Sequence, residues 1–458
     1  MTDPQGTPTD EMVCRVDDNT IDTGNIPIIF VPGVMGSRLH FTVQDQYWDP
    51  DSNWRMSHWL WVSAETTRRE FALTNPVNVM TEGNDLDEDE CRRGLAGVAW
   101  GFYGTFIRDL EGQSFGRYTT PVYVIGYDWR QSNRTSGNVV AGRIREILEE
   151  EGASEFVLIS HSMGGLVTRA TLKGHSDVAD KCKGVIHVAQ PVGGGLVLVR
   201  RMFTGARSNE DGGWGLSTIL GNTRQKFQTI MSAVPGPMQL LPTPQYRDTG
   251  NTWWYTYETF EHPNTTRQWT GNSWALYRNT ASPPGLVAPA SESYAITGAV
   301  RREFGRRLND AEAYHNWVGT WKHPRTWAIY STGLTVDMAM HFHLPPNNTR
   351  MEVFHTHHMM PPQMIHYGQR GDGSWDVISD PNPEDRGVVM QRRAESDGTV
   401  PDPSAELLFP TQRHAVRVGS DYTTKKQFRI SGAAHDAICH DPNCERALFD
   451  IIRHIIGS

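Results

Sequence analysis

Short apolar runs bounded by turn residues recur along the chain. Such runs, rich in β-branched residues, are typical of strands that are buried on both faces of a sheet. Between two of them, apolar residues recur at helical spacing, which predicts a helix over roughly 138–151. The runs themselves occupy residues 26–31, 121–126, 156–159 and 184–189.

The same rhythm returns near the carboxyl end of the chain. Apolar runs at 326–330 and 427–430 predict two more strands, and an apolar stripe over 448–455 predicts the last helix. Strands that alternate with helices require crossover connections, which make neighbouring strands parallel. The predicted fold class is therefore α/β, with a mostly parallel central sheet and flanking helices.

Two long segments interrupt this rhythm and hold most of the 15 Trp residues. We predict a lid-like insertion at about 40–100 and a cap domain at 201–322. The core then comprises residues 26–200 and 323–458, preceded by a loose polar segment, 1–25. Because indole is enriched at interfaces and in apolar pockets, the tryptophans are expected to line the cap above the functional site.

The composition fits a globular protein and narrows the range of partners. Of the 458 residues, 38% are hydrophobic, which is enough for a substantial core. There is no run of about 18 apolar residues, the length that a spanning helix needs. The formal net charge of −9 argues against a nucleic-acid partner.

The cysteine content and the amino terminus bear on the compartment. Five Cys is a sparse and odd number, which suits free thiols in a reducing environment. Cys439 and Cys444 are close enough in sequence to pair, although the same reasoning favours two separate thiols. The amino terminus has neither the basic start nor the apolar stretch of a secretory signal. We therefore expect a cytoplasmic location; the alternatives are export by a signal-independent route and a leader missing from this chain.

The third apolar run leads into a turn that is typical of a nucleophilic serine. Residues 160–164 read Ser-His-Ser-Met-Gly, which matches the G-x-S-x-G pattern with serine in the first position. Small residues are needed two before and two after the central serine; Gly164 meets this requirement and Ser160 meets it less fully. The following helix offers free N–H groups to a developing oxyanion, so Ser162 is the predicted nucleophile.

A serine hydroxyl needs a base, and the base needs an acid that orients it. In proteins with this G-x-S-x-G turn, the nucleophilic serine comes first in the chain, the acid second and the histidine last. We select Asp397, in Ser-Asp-Gly-Thr-Val-Pro, over Asp372, whose glycine-rich surroundings are typical of an exposed turn. We select His435 as the base because it follows the predicted strand 427–430, on the side where ligands meet a parallel sheet. His440 is its main rival.

Histidines also cluster in an H-x-H pattern, which raises the question of a metal. Histidine is a common zinc ligand, but the sequence fixes no complete ligand set, and a serine mechanism needs no metal. We therefore predict no metal and no cofactor. The cluster comprises His341, His343, His355, His357 and His358.

Several ordered motifs resemble the lecithin:cholesterol acyltransferase family of α/β-hydrolases, which includes lysosomal phospholipase. The resemblance covers the core and implies an α/β-hydrolase fold, with the Trp-rich cap and lid as insertions. The chain departs from the family in having Ser160 where alanine or glycine is usual. The motifs are the strand and loop at 28–37, Gly-Tyr-Asp-Trp-Arg at 126–130, the His-Ser-Met-Gly turn, the Ser-Asp-Gly-Thr-Val-Pro segment and the late histidine.

The resemblance also implies which groups surround the nucleophile. Two backbone N–H groups would form an oxyanion hole, that of Met163 and, in the Pro-Gly loop beside Gly33, that of Val34. Asp128 and Arg130 are predicted to support the loop below the site as a buried pair, because a guanidinium forms a planar fork with a carboxylate.

The predicted function is that of a serine-dependent carboxylic ester hydrolase or acyltransferase. It would work through an acyl-enzyme on lipid or other hydrophobic esters, with a lipid or membrane surface as a further partner. One alternative is an esterase for a bulky soluble ester or lactone, and another is a non-catalytic binding module on a hydrolase scaffold. A toxin-like phospholipase exported without a signal peptide also fits. The sequence leaves the oligomeric state open.

Overall fold

A computed structural model describes most of the chain. The predicted loose segment 1–25 lies outside the described residues except for its last two positions, as do Asp372 and the histidines at 355–358. The described residues are 24–83, 85–206, 213–246, 255–259, 262–268, 273–278, 286, 297–344, 375–378, 389–417 and 420–457.

The strands are numbered in chain order. They are β1 (Ile28–Val31), β2 (Leu39–Phe41), β3 (Gln46–Trp48), β4 (Val77–Val79), β5 (Val122–Val124), β6 (Phe156–His161), β7 (Cys182–Val188), β8 (Tyr255–Thr259), β9 (His262–Gln268), β10 (Thr326–Thr332), β11 (Leu334–Leu344), β12 (Trp375–Ile378), β13 (Val389–Ser396), β14 (His414–Ala415) and β15 (Gln427–Ser431).

The helices are numbered in the same way. They are α1 (Asn53–Trp61), α2 (Ala64–Glu70), α3 (Glu88–Arg92), α4 (Trp100–Glu111), α5 (Asn133–Glu150), α6 (Gly164–Gly174), α7 (Ser176–Ala179), α8 (Leu196–Thr204), α9 (Gly213–Leu220), α10 (Arg224–Met231), α11 (Pro235–Met238), α12 (Ser273–Arg278), α13 (Gly298–Val318), α14 (Asp402–Ala405) and α15 (Pro442–Ile456).

Seven strands form a parallel central sheet in the order β14–β15–β10–β7–β6–β1–β5. Its inner strands are apolar along their length because alternate side chains enter two different apolar layers. In β1, Ile28 and Phe30 pack into one layer, whereas Ile29 and Val31 pack into the other. Helices cover both layers, and the predicted α/β class with a mostly parallel sheet is confirmed.

Helices α5 and α6 lie on one face of the sheet, and α4 and α15 lie on the other. The start of α15 shows how the sequence sets such boundaries. Asp441 accepts hydrogen bonds from the N–H groups of Asn443 and Cys444, and Pro442 occupies the first helical position. A stripe of leucine and isoleucine then faces the sheet, as the sequence predicts.

A second sheet begins at the end of core strand β10. The chain turns at Gly333, whose φ of 92° suits glycine, and continues as β11. β11 pairs with β13 in antiparallel and with β8 in parallel orientation, and the sheet order is β12–β13–β11–β8–β9. Strands β8 and β9 of the predicted cap therefore share one sheet with strands β11 to β13 of the predicted core. Asp397 follows β13, so the predicted acid leaves the second sheet rather than the core sheet.

The predicted lid-like insertion contains a small antiparallel sheet, β3–β2–β4, and helices α1 to α3. Its buried aromatic side chains pack on the core. Trp48 and Phe71 each make an edge-to-face contact with Trp129, with ring centroids 5.1 and 5.5 Å apart, and Trp59 is buried against Phe71. These contacts anchor the insertion to the core strand that ends before Trp129.

Among the described residues, no helix is long and apolar enough to cross a membrane. Cys91, Cys182, Cys439 and Cys444 are free thiols, and the last three are buried. Cys439 and Cys444 therefore do not pair with each other.

Candidate active site

The turn after β6 holds the predicted nucleophile in a strained conformation. Ser162 has a φ of 53°, in the left-handed region that is unfavourable for serine. Gly164 makes the turn possible, because a Cβ there would lie 2.4 Å from the carbonyl oxygen of Pro32 and 2.6 Å from that of Val31. A sharp, strained strand-to-helix turn is the geometry that the G-x-S-x-G motif requires.

Ser160, the departure from the family pattern, has a partner on the neighbouring strand. Its Oγ lies 2.7 Å from Nδ1 of His187, and both side chains are buried. Burial lowers the pKa of His187 to about 3, so the ring stays neutral at ordinary pH. The hydroxyl is accommodated at this tight position because it is hydrogen-bonded rather than left unpaired.

The structure brings Ser162, His435 and Asp397 together from three distant parts of the chain. Nε2 of His435 lies 2.9 Å from Oγ of Ser162, and Nδ1 lies 2.7 Å from Oδ2 of Asp397. The backbone N–H of His435 also donates to the carbonyl oxygen of Asp397 at 2.8 Å. The imidazole is thus fixed between a hydroxyl and a carboxylate, with its orientation set by two contacts to the same acidic residue.

The carboxylate of Asp397 is fixed by its own loop. Its Oδ1 accepts hydrogen bonds from the backbone N–H groups of Thr399 and Val400, at 2.9 and 2.7 Å, which leaves Oδ2 for His435. The Asp397 side chain and Val400 are both buried. The Val-Pro segment after the acid therefore anchors the loop in the structure.

The electrostatic surroundings of His435 favour its protonated form. Burial lowers the pKa of this imidazole, but the charge and the hydrogen bond of Asp397 outweigh burial, and the nearby Asp436 adds to them. The net pKa lies above the ordinary value of 6.5. This group can therefore hold a proton taken from the Ser162 hydroxyl.

The rival histidine is engaged elsewhere. Nε2 of His440 lies 2.6 Å from the carbonyl oxygen of Phe102. His161 precedes the predicted nucleophile, and its ring contacts the hydroxyl of Tyr103 and the carbonyl oxygen of His435. Sequence reasoning missed Tyr103. The available signal is its position on the apolar face of α4, where a buried hydroxyl needs a polar partner.

The two N–H groups predicted for the oxyanion hole are those of Met163 and Val34. Met163 directly follows Ser162 at the start of α6, and Val34 and Ser162 both line the cavity. Within the described part of the chain, neither N–H group donates to a protein acceptor. The N–H of Gly33, in contrast, donates to the Tyr103 hydroxyl at 3.1 Å.

Asp128 and Arg130 form the planar pair expected from their sequence. The Nε and Nη2 atoms of Arg130 lie 2.8 Å from the two carboxylate oxygens of Asp128, and the guanidinium is buried. Nη2 also donates to the carbonyl oxygen of Asn75 at 3.0 Å. The pair therefore ties the loop after β5 to the insertion.

A cavity of about 710 Å³ opens above Ser162 and His435. Its lining is mostly apolar and comes from α1, the loop after β1, and α8 to α10. Among the described side chains, Trp48 is the one tryptophan that lines it, so most of the described tryptophans do not have the lining role expected from sequence. Apolar lining residues include Val34, Met56, Leu60, Val197, Leu216 and Phe227.

The parallel sheet and the strained serine turn define an α/β-hydrolase. The family model of lecithin:cholesterol acyltransferase matches residues 102–418, well over half of the chain, and the chain belongs to this family. The resemblance seen in the sequence is confirmed.

The chain is also similar to one curated protein and to one solved structure. Lecithin-cholesterol acyltransferase-like 4 of Arabidopsis thaliana is 24% identical over 193 residues, which cover 38% of this chain and 35% of that protein. The chain therefore spans about a third of the length of this curated relative. A chain in the crystal structure of the Tle4-Tli4 complex has a TM-score of 0.70 and 19% identity, over 95% of this chain and 99% of that one. This likeness shows that the fold is shared.

Proposed function

We propose that this protein is a serine-dependent ester hydrolase or acyltransferase that acts on lipid or other hydrophobic esters. The observation that carries the proposal is the chain of contacts from Ser162 through His435 to Asp397, at the base of an apolar cavity. Membership of the lecithin:cholesterol acyltransferase family supports ester chemistry.

The first half-reaction forms an acyl-enzyme. Oγ of Ser162 attacks the ester carbonyl carbon while its proton passes to Nε2 of His435. The carbonyl oxygen becomes an oxyanion that accepts hydrogen bonds from the N–H groups of Val34 and Met163. The carbon–oxygen bond to the leaving alcohol then breaks, and His435 gives its proton to that alcohol.

The second half-reaction returns the enzyme to its starting state. Water or an acceptor alcohol gives a proton to His435 and attacks the acyl carbon. The bond to Oγ of Ser162 breaks, and the serine recovers its proton. Asp397 stays ionised throughout and stabilises the imidazolium that forms twice in each cycle.

The substrate class follows from the cavity. Its wall is mostly apolar and its volume fits a hydrophobic chain, so an extended acyl group gains free energy by leaving water. A small polar ester fills little of this space. We therefore expect activity to rise with acyl chain length.

A lipid surface as a partner is supported by helix α1. Asn53, Met56 and Leu60 of this helix line the cavity, whereas Trp54 and Trp61 are 80% and 83% exposed. These two tryptophans are seven residues apart and so share the outer face of the helix. Exposed indoles on a helix that lines an apolar cavity suit the interface between water and lipid.

Initial rates on p-nitrophenyl esters of increasing chain length test the proposal. The protein should prefer long chains, with a rate that rises further when the ester forms an emulsion, and Ser162→Ala should abolish turnover. Alcohol acceptors added to the same assay distinguish transfer from hydrolysis. Full turnover by Ser162→Ala would refute the serine mechanism, and a flat response to chain length and emulsion would refute the lipid substrate.

A further inference from the structure

A buried hydrogen-bond chain runs behind the proposed catalytic residues. The N–H of Gly33 donates to the hydroxyl oxygen of Tyr103 at 3.1 Å, and this oxygen lies 2.9 Å from Nδ1 of His161. Nε2 of His161 lies 2.9 Å from the carbonyl oxygen of His435. Three segments that surround Ser162 are thereby joined through two side chains.

The partner atoms fix the direction of each hydrogen bond in this series. A carbonyl oxygen can only accept, so Nε2 of His161 carries the proton. Burial lowers the pKa of His161 to about 3, which keeps the ring neutral and leaves Nδ1 as an acceptor. The Tyr103 hydroxyl therefore donates to His161 and accepts from Gly33, and burial raises the pKa of Tyr103 so that it keeps its proton.

The same groups are packed tightly against the nucleophile. A Cβ on Gly33 would lie 3.0 Å from the Cβ of Ser162 and 3.2 Å from Nδ1 of His161. A Cβ on Gly36 would lie 2.9 Å from the ring of Tyr103. The Tyr103 ring is thus packed against the loop that carries Val34, so we expect a shift of the ring to move that loop.

We propose that Tyr103 and His161 are positioning residues, which hold the Gly33–Val34 loop and the His435 loop in register around Ser162. This inference rests on the proposed function. By taking the N–H of Gly33, Tyr103 fixes the peptide beside it and leaves the N–H of Val34 for the oxyanion. By donating to the carbonyl of His435, His161 fixes the backbone from which the imidazole extends. Neither side chain touches the reacting atoms in this scheme.

Tyr103→Phe tests the first link because it removes only the hydroxyl. We expect kcat on a soluble ester to fall about tenfold, less than the roughly 10²–10³-fold loss when an oxyanion donor itself is removed, with KM within about twofold. The affinity for a trifluoromethyl ketone, which forms an oxyanion on Ser162, should weaken by the same factor as kcat/KM. A purely structural hydroxyl would lower stability without this matched loss.

Tyr314→Phe is the matched control. Tyr314 is also buried, and its hydroxyl donates a hydrogen bond to the carbonyl oxygen of Leu166 at 2.7 Å. This variant should lose stability and keep kcat. An equal loss of kcat in both variants, or an unchanged kcat in Tyr103→Phe, overturns the proposal.

His161 provides a second test that does not depend on Tyr103→Phe. Glutamine keeps a donor and an acceptor at this position, so His161→Gln should retain more kcat than His161→Leu. Equal rates for the two variants contradict the positioning role. If the wild-type protein turns over no ester, the proposed function itself fails; if it is active while Tyr103→Phe and His161→Leu match it, only the positioning role fails.

Discussion

Nε2 of His435 lies 2.9 Å from Oγ of Ser162, although 273 residues separate them in the chain. Both residues follow parallel strands of the central sheet, β15 and β6, and so stand at the same edge of that sheet. The third member, Asp397, reaches this edge from β13 of the second sheet. The site is therefore assembled where the two sheets meet.

The raised pKa of His435 determines how activity depends on pH. A general base must be neutral, so kcat/KM should fall as pH drops through the pKa of this imidazole in the free enzyme. Because Asp397 raises that pKa, the half-maximal point should lie above pH 6.5. A profile of kcat/KM on a soluble ester, from about pH 5 to 9, measures it directly.

Asp397→Asn tests whether His435 is the group that produces the acid limb of this pH profile. Without the carboxylate, burial is the largest influence on the pKa of His435 and is opposed only by the weaker charge of Asp436, so the acid limb should move to lower pH. The rate should fall by up to about 10⁴-fold. Asp436→Asn removes a weaker, exposed charge and should move the limb less. An acid limb that stays in place in Asp397→Asn would show that another group titrates.

The core and the serine turn are predictable from the sequence because their signals are local. The apolar run of β6, Ser162 and Gly164 all lie within one short stretch of sequence. The strand then places the serine turn at the edge of the sheet. The second sheet is not predictable in this way, since β8 and β11 are about 80 residues apart and carry no pattern that pairs them. The Val-Pro segment after Asp397 allows this residue to be selected as the acid from the sequence. The sequence does not tell which sheet carries it.

The tryptophans show a second limit of prediction from the sequence. Enrichment in the insertions predicts a lining role, but Trp48 also joins the insertion to the core, Trp59 packs within the insertion, and Trp54 and Trp61 face outward. A large aromatic side chain suits a core, a pocket wall and an exposed interface equally well. Only the positions of β3 and α1 in the fold separate these roles.

The exposed tryptophans predict a selective effect on lipid surfaces. In Trp54→Ala combined with Trp61→Ala, the ratio of activity on ester-containing vesicles to activity on a soluble ester should fall about tenfold or more, which corresponds to about 1.4 kcal/mol of lost surface binding. Val139→Ala is the control, because Val139 is 59% exposed and lies on α5, away from the cavity. An unchanged ratio in the double variant contradicts a role for α1 in lipid contact.

His187 predicts a specific pH dependence of stability. Its pKa is about 3 in the folded protein and close to 6.5 when unfolded, so below about pH 5.5 the unfolded state binds a proton that the folded state excludes. This group therefore makes the free energy of unfolding decrease as pH falls. In His187→Gln, urea unfolding between about pH 5.5 and 4 should show a slope shallower by about 1.4 kcal/mol per pH unit. Parallel pH curves for the two proteins exclude this assignment.

Two glycines on neighbouring helices should respond oppositely to a methyl group. Gly164→Ala places a Cβ 2.4 Å from a backbone oxygen, so we expect a loss of at least about 2 kcal/mol of stability and a loss of ester turnover. Gly142, on α5, has open space around its Cβ position, and Gly142→Ala should gain about 0.5–1 kcal/mol. Thermal unfolding of both variants measures the contrast, and similar effects would disprove the close approach at Gly164.

Covalent labelling with a fluorophosphonate, followed by peptide mass spectrometry, tests the serine mechanism most directly. We predict one adduct, on Ser162, with a loss of ester turnover proportional to labelling and with no adduct in Ser162→Ala. Labelling at a different residue together with loss of turnover, or undiminished turnover in the fully labelled protein, would contradict the mechanism.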